Sequence, residues 1–352
     1  MSSPDPLPQT YAASRASFRA TAAAVGAPLT AHPIEAPGPE GEELTIDVAT
    51  LGDDAPRRAL VVLSGVHGVE GFATAAAQTA FLAGLGARPA GPGLRIILVH
   101  AVNPWGMAWG RRQNEANVDL NRGWDRGWID PPRNEPYDEL HPLLCPDGPT
   151  VPDPRAMFEA LAPITEAHGL AWVERAITAG QYHHPDGMHY AGHRTEPSCE
   201  ILADVLGPML APLGKVLVLD LHTGAGPYGE MTYLSGEPVD SPANEAVGAI
   251  FGHATPSAAW TPGRIGPGVA ALAAGPERWS VTVEVGTVSD TKQLAAAHRE
   301  QWVHRFGDDR PAHADIRRAY RACFTPEDPD WKAAARRGLA DALDRALAAV
   351  AD

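Results

Sequence analysis

Cysteine is scarce in this chain. Its three residues, Cys145, Cys199 and Cys323, stand far apart with no CxxC pair. An odd, scattered set excludes a disulfide framework and fits reduced thiols in a reducing compartment. Basic charge is short as well. Lys and Arg number 28 against 43 Asp and Glu, a formal net charge of -15, so the basic face that a nucleic-acid partner requires is missing. No run of about 18 apolar residues occurs, which leaves no candidate for a membrane-spanning helix. The start, MSSPDPLPQTYAASRASFRATAAAVGAP, lacks a basic stretch followed by an apolar core, so no secretory signal is expected. The expectation is a soluble cytoplasmic protein with no nucleic-acid or membrane partner.

What is present supports a sizeable core. The apolar fraction is 44% over 352 residues, enough for one large α/β domain or two ordinary ones. No repeat, low-complexity linker or composition shift divides the chain, so residues 1–352 read as one domain. Its N-terminal segment, about 1–42, carries a helix at 10–25. The segment 43–52 alternates like an edge strand. The runs RALVVLSG (58–65), LRIILVHAVNPWG (94–106, breaking at Asn103-Pro104) and KVLVLDLHTG (215–224) are continuously apolar, as strands buried on both faces are. WSVTVEVGT (279–287) is a further strand. Helices are expected at 71–86, 153–169, 241–252 and 288–306, with a last amphipathic one at 329–351. Residues 125–154, rich in proline and charge, read as a surface insertion. The alternation of strands and helices implies a mixed, mostly parallel sheet sandwiched by helices.

Ligands in such sheets bind beyond the carboxyl ends of the strands. Here those ends carry His67 and Glu70 in SGVHGVEGF, Asn103, His222 in DLHTG, and Glu284 in VTVEVGT. Two histidines and a carboxylate are the ligand set of a catalytic zinc with an open fourth position. Gly65, Gly68 and Gly71 would let the first loop fold tightly around an ion. The bland alternative makes Glu70 a cap of the helix that starts near Gly71; it leaves His222 unexplained. Arg111 to Trp124, RRQNEANVDLNRGW, crowds three arginines after a strand. Arginine is suited to bidentate recognition of a carboxylate, unless these arginines merely pair with Glu115 and Asp119 in the same loop. The His- and Tyr-dense stretch GQYHHPDGMHYAGH (180–193) reads as a pocket rim or lid, a second metal site, or a polar surface loop.

The ordered set HGVE, NPWG, RRQNEANVDLNRGW, DLHTG and VEVGT resembles the zinc metallocarboxypeptidase superfamily over about residues 59–290. Its wording is similar to a bacterial branch of that superfamily without an assigned substrate. The resemblance implies a carboxypeptidase-type α/β fold and one zinc held by His67, Glu70 and His222. It makes Arg112, nine residues before Asn121, the group that polarises the scissile carbonyl, and Asn121 with Arg122 the clamp for the substrate's terminal carboxylate. Glu284 becomes the general base. The implied activity is hydrolysis of an amide next to a free carboxylate in a small peptide. The alternative within the same superfamily is deacylation of an N-acyl amino acid; the alternative of another class is a non-catalytic metal- or ligand-binding domain, which would need neither Glu284 nor Arg112. The mobile tyrosine of the digestive carboxypeptidases has four candidates here: Tyr182, Tyr190, Tyr228 and Tyr233. The absence of a GxSxG elbow argues against a serine hydrolase.

Overall fold

The computed structural model describes residues 7–86, 91–124, 131–235, 240–256 and 263–351. Helix α1 (Tyr11–Ala24) precedes strands β1 (Leu29–Pro33), β2 (Thr45–Gly52) and β3 (Arg58–Ser64). Helix α2 (Gly71–Leu85) and strand β4 (Leu94–His100) follow. Five helices come next: α3 (Pro104–Trp109), α4 (Glu135–Leu144), α5 (Pro154–His168), α6 (Leu170–Thr178) and α7 (Pro197–Leu210). The chain then makes β5 (Lys215–Gly224), β6 (Met231–Ser235), α8 (Pro242–Phe251), β7 (Thr255–Pro256), α9 (Ile265–Ala270) and β8 (Glu277–Gly286). It ends in α10 (Asp290–Phe306), α11 (Pro311–Phe324) and α12 (Pro329–Ala351).

The strands form one mixed sheet in the order β1-β2-β4-β3-β5-β8-β6-β7. Its centre, β4-β3-β5-β8, is parallel; β2 joins β4, and β6 joins β8, antiparallel. Successive side chains on a strand point to opposite faces, and β3 divides accordingly. Leu60 and Val62 pack against α1, α2, α8 and α12. Val61 and Leu63 pack against α7 and α9. Both faces are therefore covered, the condition under which strands read as unbroken apolar runs. Truncating a leucine buried this completely costs about 2–5 kcal/mol. This is the α/β architecture expected, and no helix among the described residues is long and apolar enough to cross a membrane.

One expectation needs correction, and another gains detail. The 43–52 strand is internal, because β1 pairs outside it from Leu29↔Ala49 to Pro33↔Thr45; the true edge is short and ends in proline, which hid it. Within the segment expected as a surface insertion, 125–130 lie outside the described residues, but 135–144 form α4 with Tyr137, Leu140 and Leu144 buried. That helix packs with α5 and α6 into a separate apolar cluster that reaches Leu294 and Ala297 of α10. Its prolines sit at the helix start and inside it.

Candidate metal centre and substrate pocket

The centre assembles where β3, β5 and β8 end. His67 and Glu70 follow β3 on a turn of 3-10 helix, Gly68–Glu70. His222 lies on β5 and stands opposite Glu284 of β8 in the parallel register. His67 Nδ1 is 2.8 Å from Glu70 Oε1, and His222 Nδ1 is 2.8 Å from Glu70 Oε2. The backbone N–H of Thr223 donates to Glu70 Oε2 at 3.1 Å. Glu70 does precede α2, but its side chain makes no capping hydrogen bond; it turns instead to the two histidines.

Each imidazole also has a carboxylate behind it. His67 Nε2 lies 3.1 Å from Asp119 Oδ1. His222 Nε2 lies 2.9 Å from Asp220 Oδ1, close but out of line for a hydrogen bond. Both rings thus present Nδ1 inward and back Nε2 with an acid, which is how metal-ligating histidines are oriented. The side chains of His67, Glu70 and His222 are only 5%, 3% and 1% exposed. Their candidate ligand atoms lie within 4.8 Å of one another. This donor set, two imidazole nitrogens and a carboxylate on buried strand ends, fits a borderline divalent ion such as zinc.

The glycines act differently from expectation. Gly65 has φ +64° and needs its conformational freedom. Gly68 instead admits α3, since a Cβ there would come within about 2 Å of the Gly106–Met107 backbone. The loop is bare to let another segment close in, and Val69 N–H donates to Arg111 O at 2.8 Å in the same contact. Asn103 is structural too: its Oδ1 accepts from Gly106 N–H at 2.8 Å, capping α3, and its Nδ2 donates to Arg112 O.

Electrostatics follow from burial against pairing. Burial alone would raise the Glu70 carboxyl, but His67 and His222 outweigh it and hold it well below the usual range. Burial pushes Glu284 up to about 7, helped by Glu70 and opposed by His222. Its Oε2 accepts from Ala225 N–H at 3.3 Å. A carboxyl poised there suits proton transfer near neutral pH, and a cation at the centre would draw it lower.

A cavity of about 300 Å³ opens beside these groups, and Arg112, Asn121, Arg122, His189, Arg264 and Tyr320 are among its walls. The adjacent Arg111 and Arg112 part ways. Arg111 is buried and turns away from the cavity to Glu300 Oε1 at 2.8 Å and Gln301 Oε1 at 3.0 Å. Arg112 reaches Asp119 Oδ2 at 3.0 Å and stands 3.6 Å from Glu70 Oε1. The in-loop pairing with Asp119 therefore holds for Arg112, though not with Glu115. Among the described residues Arg122 donates only to carbonyls, Thr178 O and Asn121 O. Among the described residues no carboxylate forms an ion pair with it, and burial lowers its pKa to about 10. Asn121 Oδ1 accepts from Ile265 N–H at 3.0 Å.

Sequence reasoning missed Asp119 as the hub of this wall. Its Oδ2 also meets His189 Nδ1 at 3.2 Å, and its Oδ1 accepts from Asn121 N–H at 3.0 Å. Asp220 was missed too, although alternation on β5 puts it on the face of His222. None of the four tyrosine candidates lines the cavity; Tyr320 of α11 does. Tyr228 bonds Asp328, Tyr190 bonds His193, and Tyr233 is a core residue. The 180–193 stretch contributes Met188 and His189 to the wall.

The solved structures similar to this chain include carboxypeptidase A of Helicoverpa armigera, 14% identical over 89% of this chain and 74% of that one, with a TM-score of 0.49. Another is a metallo-carboxypeptidase from Pseudomonas aeruginosa in complex with (2-guanidinoethylmercapto)succinic acid, at 13% identity, 95% and 67% coverage and TM-score 0.47. A third is succinylglutamate desuccinylase from Chromobacterium violaceum, at 14% identity, 89% and 74% coverage and TM-score 0.40. No curated protein matches the sequence. A family profile described as "Protein of unknown function (DUF2817)" matches residues 8–337, and the chain belongs to that family.

Proposed function

We propose that the protein is a zinc-dependent hydrolase that cleaves an amide next to a free carboxylate, with one zinc at this centre of each chain. One observation carries the reading: two carboxylate-backed imidazoles and Glu70 converge beside a partly desolvated acid, Glu284, and an arginine-walled cavity. When bound by His67, Glu70 and His222, zinc supplies Lewis acidity and an activated water. Glu284 takes the water's proton and passes it to the leaving amine. Arg112, steered by Asp119, stabilises the charge that develops on the scissile oxygen, a contribution of about 3 kcal/mol. Arg122 and Asn121 receive the substrate's carboxylate. A partly desolvated guanidinium with no carboxylate in direct contact favours an incoming anion; Asp119 attracts Arg122 only at longer range, and the backbone carbonyls orient it. A purely binding domain would have no use for Glu284 beside an open cavity. The free thiols of Cys145, Cys199 and Cys323 fit a cytoplasmic location.

The test is a panel of small peptides and N-acyl amino acids, each as free acid and as carboxamide, assayed with and without chelator on wild type and Arg122→Ala. The wild type is expected to favour the acid by about ten-fold or more in kcat/KM, and the variant to lose that preference. Turnover of peptides identifies a carboxypeptidase, and turnover of N-acyl amino acids alone identifies a deacylase. Equal rates on acid and amide in the wild type would remove the clamp and leave an endo-acting amidase.

A further inference from the structure

A second cluster of two histidines and a carboxylate lies apart from the pocket, where α4 meets the loop that leads to His189. His141 sits on the last turn of α4, and His184 and Asp186 belong to the loop. Their candidate ligand atoms fall within 4.8 Å of one another. The two imidazoles stack with centroids 4.0 Å apart.

His141 is the anomaly. Its Nδ1 is buried without a hydrogen-bond partner, packed where a Cβ on Gly187 would meet it at 3.1 Å. Its Nε2 is 3.6 Å from Asp186 Oδ1, too far for a hydrogen bond. Among the described residues the ring therefore makes no hydrogen bond at all, which for a mostly buried imidazole calls for a reason. The 3.6 Å between Nε2 and Asp186 Oδ1 is close to the roughly 3.4 Å between two donors that each lie about 2.1 Å from a tetrahedral ion, so Nε2 is the candidate ligand. The orphan Nδ1 faces Gly187 and is not given a partner by the ion.

The surroundings are arranged for a cation. His184 Nε2 meets Asp138 Oδ1 at 2.7 Å, which places the proton on Nε2 and leaves Nδ1 with its lone pair free. Asp138 is one turn before His141 on α4, so one helix supplies a ligand and the acid behind another. Arg305 contacts Asp186 through Oδ2 at 2.9 Å, the oxygen not facing His141. Asp138, Asp147 and Asp186 meet Arg133 and Arg305 here, three carboxylates against two guanidinium groups. The loop is fixed independently: Asn117 Nδ2 donates to Pro185 O and Gly187 O, and Gln301 Nε2 donates to Asp186 O. Little ordering would be lost on binding.

The geometry points to a second divalent-metal site formed by His141, His184 and Asp186. Two imidazoles and one carboxylate select zinc, nickel or cobalt over magnesium or calcium. The ion would bridge α4 to the already ordered 181–190 loop, behind the stretch that carries His189. It takes no part in the chemistry at the first centre, and it does not depend on that centre's assignment.

The experiment is equilibrium dialysis of the full chain against Zn²⁺, with metal per chain measured by elemental analysis and folding checked by circular dichroism. Wild type is expected to hold two ions, and His184→Ala and Asp186→Asn one each. Both substitutions fall on partly exposed loop residues, so folding is retained. His222→Ala is expected to hold one, and the double variant His184→Ala/His222→Ala none. A wild-type metal count that persists unchanged in both His184→Ala and Asp186→Asn, whether one ion or two, would overturn the site. Two persisting in His222→Ala while His184→Ala holds one would keep this site and remove the first.

Discussion

The two clusters have the same composition and different surroundings. At the strand ends every imidazole nitrogen faces Glu70 or a second acid, and the side chains are 1–5% exposed. At α4 the rings and Asp186 are 15–40% exposed, and one imidazole has no hydrogen bond. Donor type alone therefore does not distinguish the two clusters. Burial differs, and so does the extent of backing: both strand-end histidines have a carboxylate behind them, whereas at α4 only His184 does, through Asp138. Such a carboxylate fixes a histidine's orientation and raises its basicity. An adjacent acid also decides the charge. Burial disfavours the His222 imidazolium, yet Asp220 and Glu70 outweigh it and raise its pKa well above the ordinary value.

The contrast can be broken most sharply at Glu284. Glu284→Gln is expected to lower kcat by about 10³-fold while leaving zinc at the first centre. Turnover within a few-fold of wild type would mean that another group is the base. Next comes Arg112→Ala, expected to lower kcat by about 10²-fold with little change in metal content, read by steady-state kinetics alongside elemental analysis. An unchanged kcat would reduce Arg112 to a partner of Asp119. Smaller again is Asp119→Asn, which should weaken zinc at the first centre by about 10- to 100-fold and leave the His184 site as it was. Competition against a chromophoric chelator measures it, and equal affinity would show that the acid behind His67 does not strengthen its hold on the ion.

The smallest effect concerns an imidazole with no acid in contact. His100 lies buried against Phe18 and Tyr11 with Ser14 Oγ at 2.8 Å, and burial lowers its pKa to about 4, against the pull of Asp47. An unfolded His titrates near 6.5, so between about 6.5 and 4 the unfolded chain binds the extra proton. Stability contributed by the neutral ring is full above that window and falls as pH drops through it. The loss is about 2 kcal/mol between pH 7 and pH 5. Urea midpoints across that range should fall more steeply for wild type than for His100→Asn; parallel slopes would assign the acid sensitivity elsewhere.

Legibility in the sequence tracked whether a signal was local. β3, β4 and β5 announced themselves because both their faces are buried. α2 and α12 did so through composition. α7 and α11 did not: one begins with proline and contains another, and the other has mean side-chain character set by arginine and histidine. Missing α11 meant missing Tyr320, since a residue cannot be assigned to a wall whose element has not been read. The strand-end groups His67, Glu70, His222 and Glu284 were legible as a pattern of polar residues closing apolar runs. The division of labour between Arg111 and Arg112 was not, because it is decided by Glu300, distant in sequence. Among His183, His184 and His189, only a tertiary contact, Asp119, chooses which one reaches the pocket.

The pairing of His222 with Glu284 across one ladder has a consequence for how the protein matures. Glu70 and His222 are 152 residues apart in sequence, and they meet only after β5 has aligned with β3 on one side and β8 on the other. Parallel partners so distant come together late, since loop closure opposes them until the sheet is nearly complete. A nascent or partly refolded chain would carry helices and much of its collapsed interior before it possessed a working centre. Recovery of turnover after dilution from urea should therefore lag behind recovery of helical signal, with the interval timing the last strands to join.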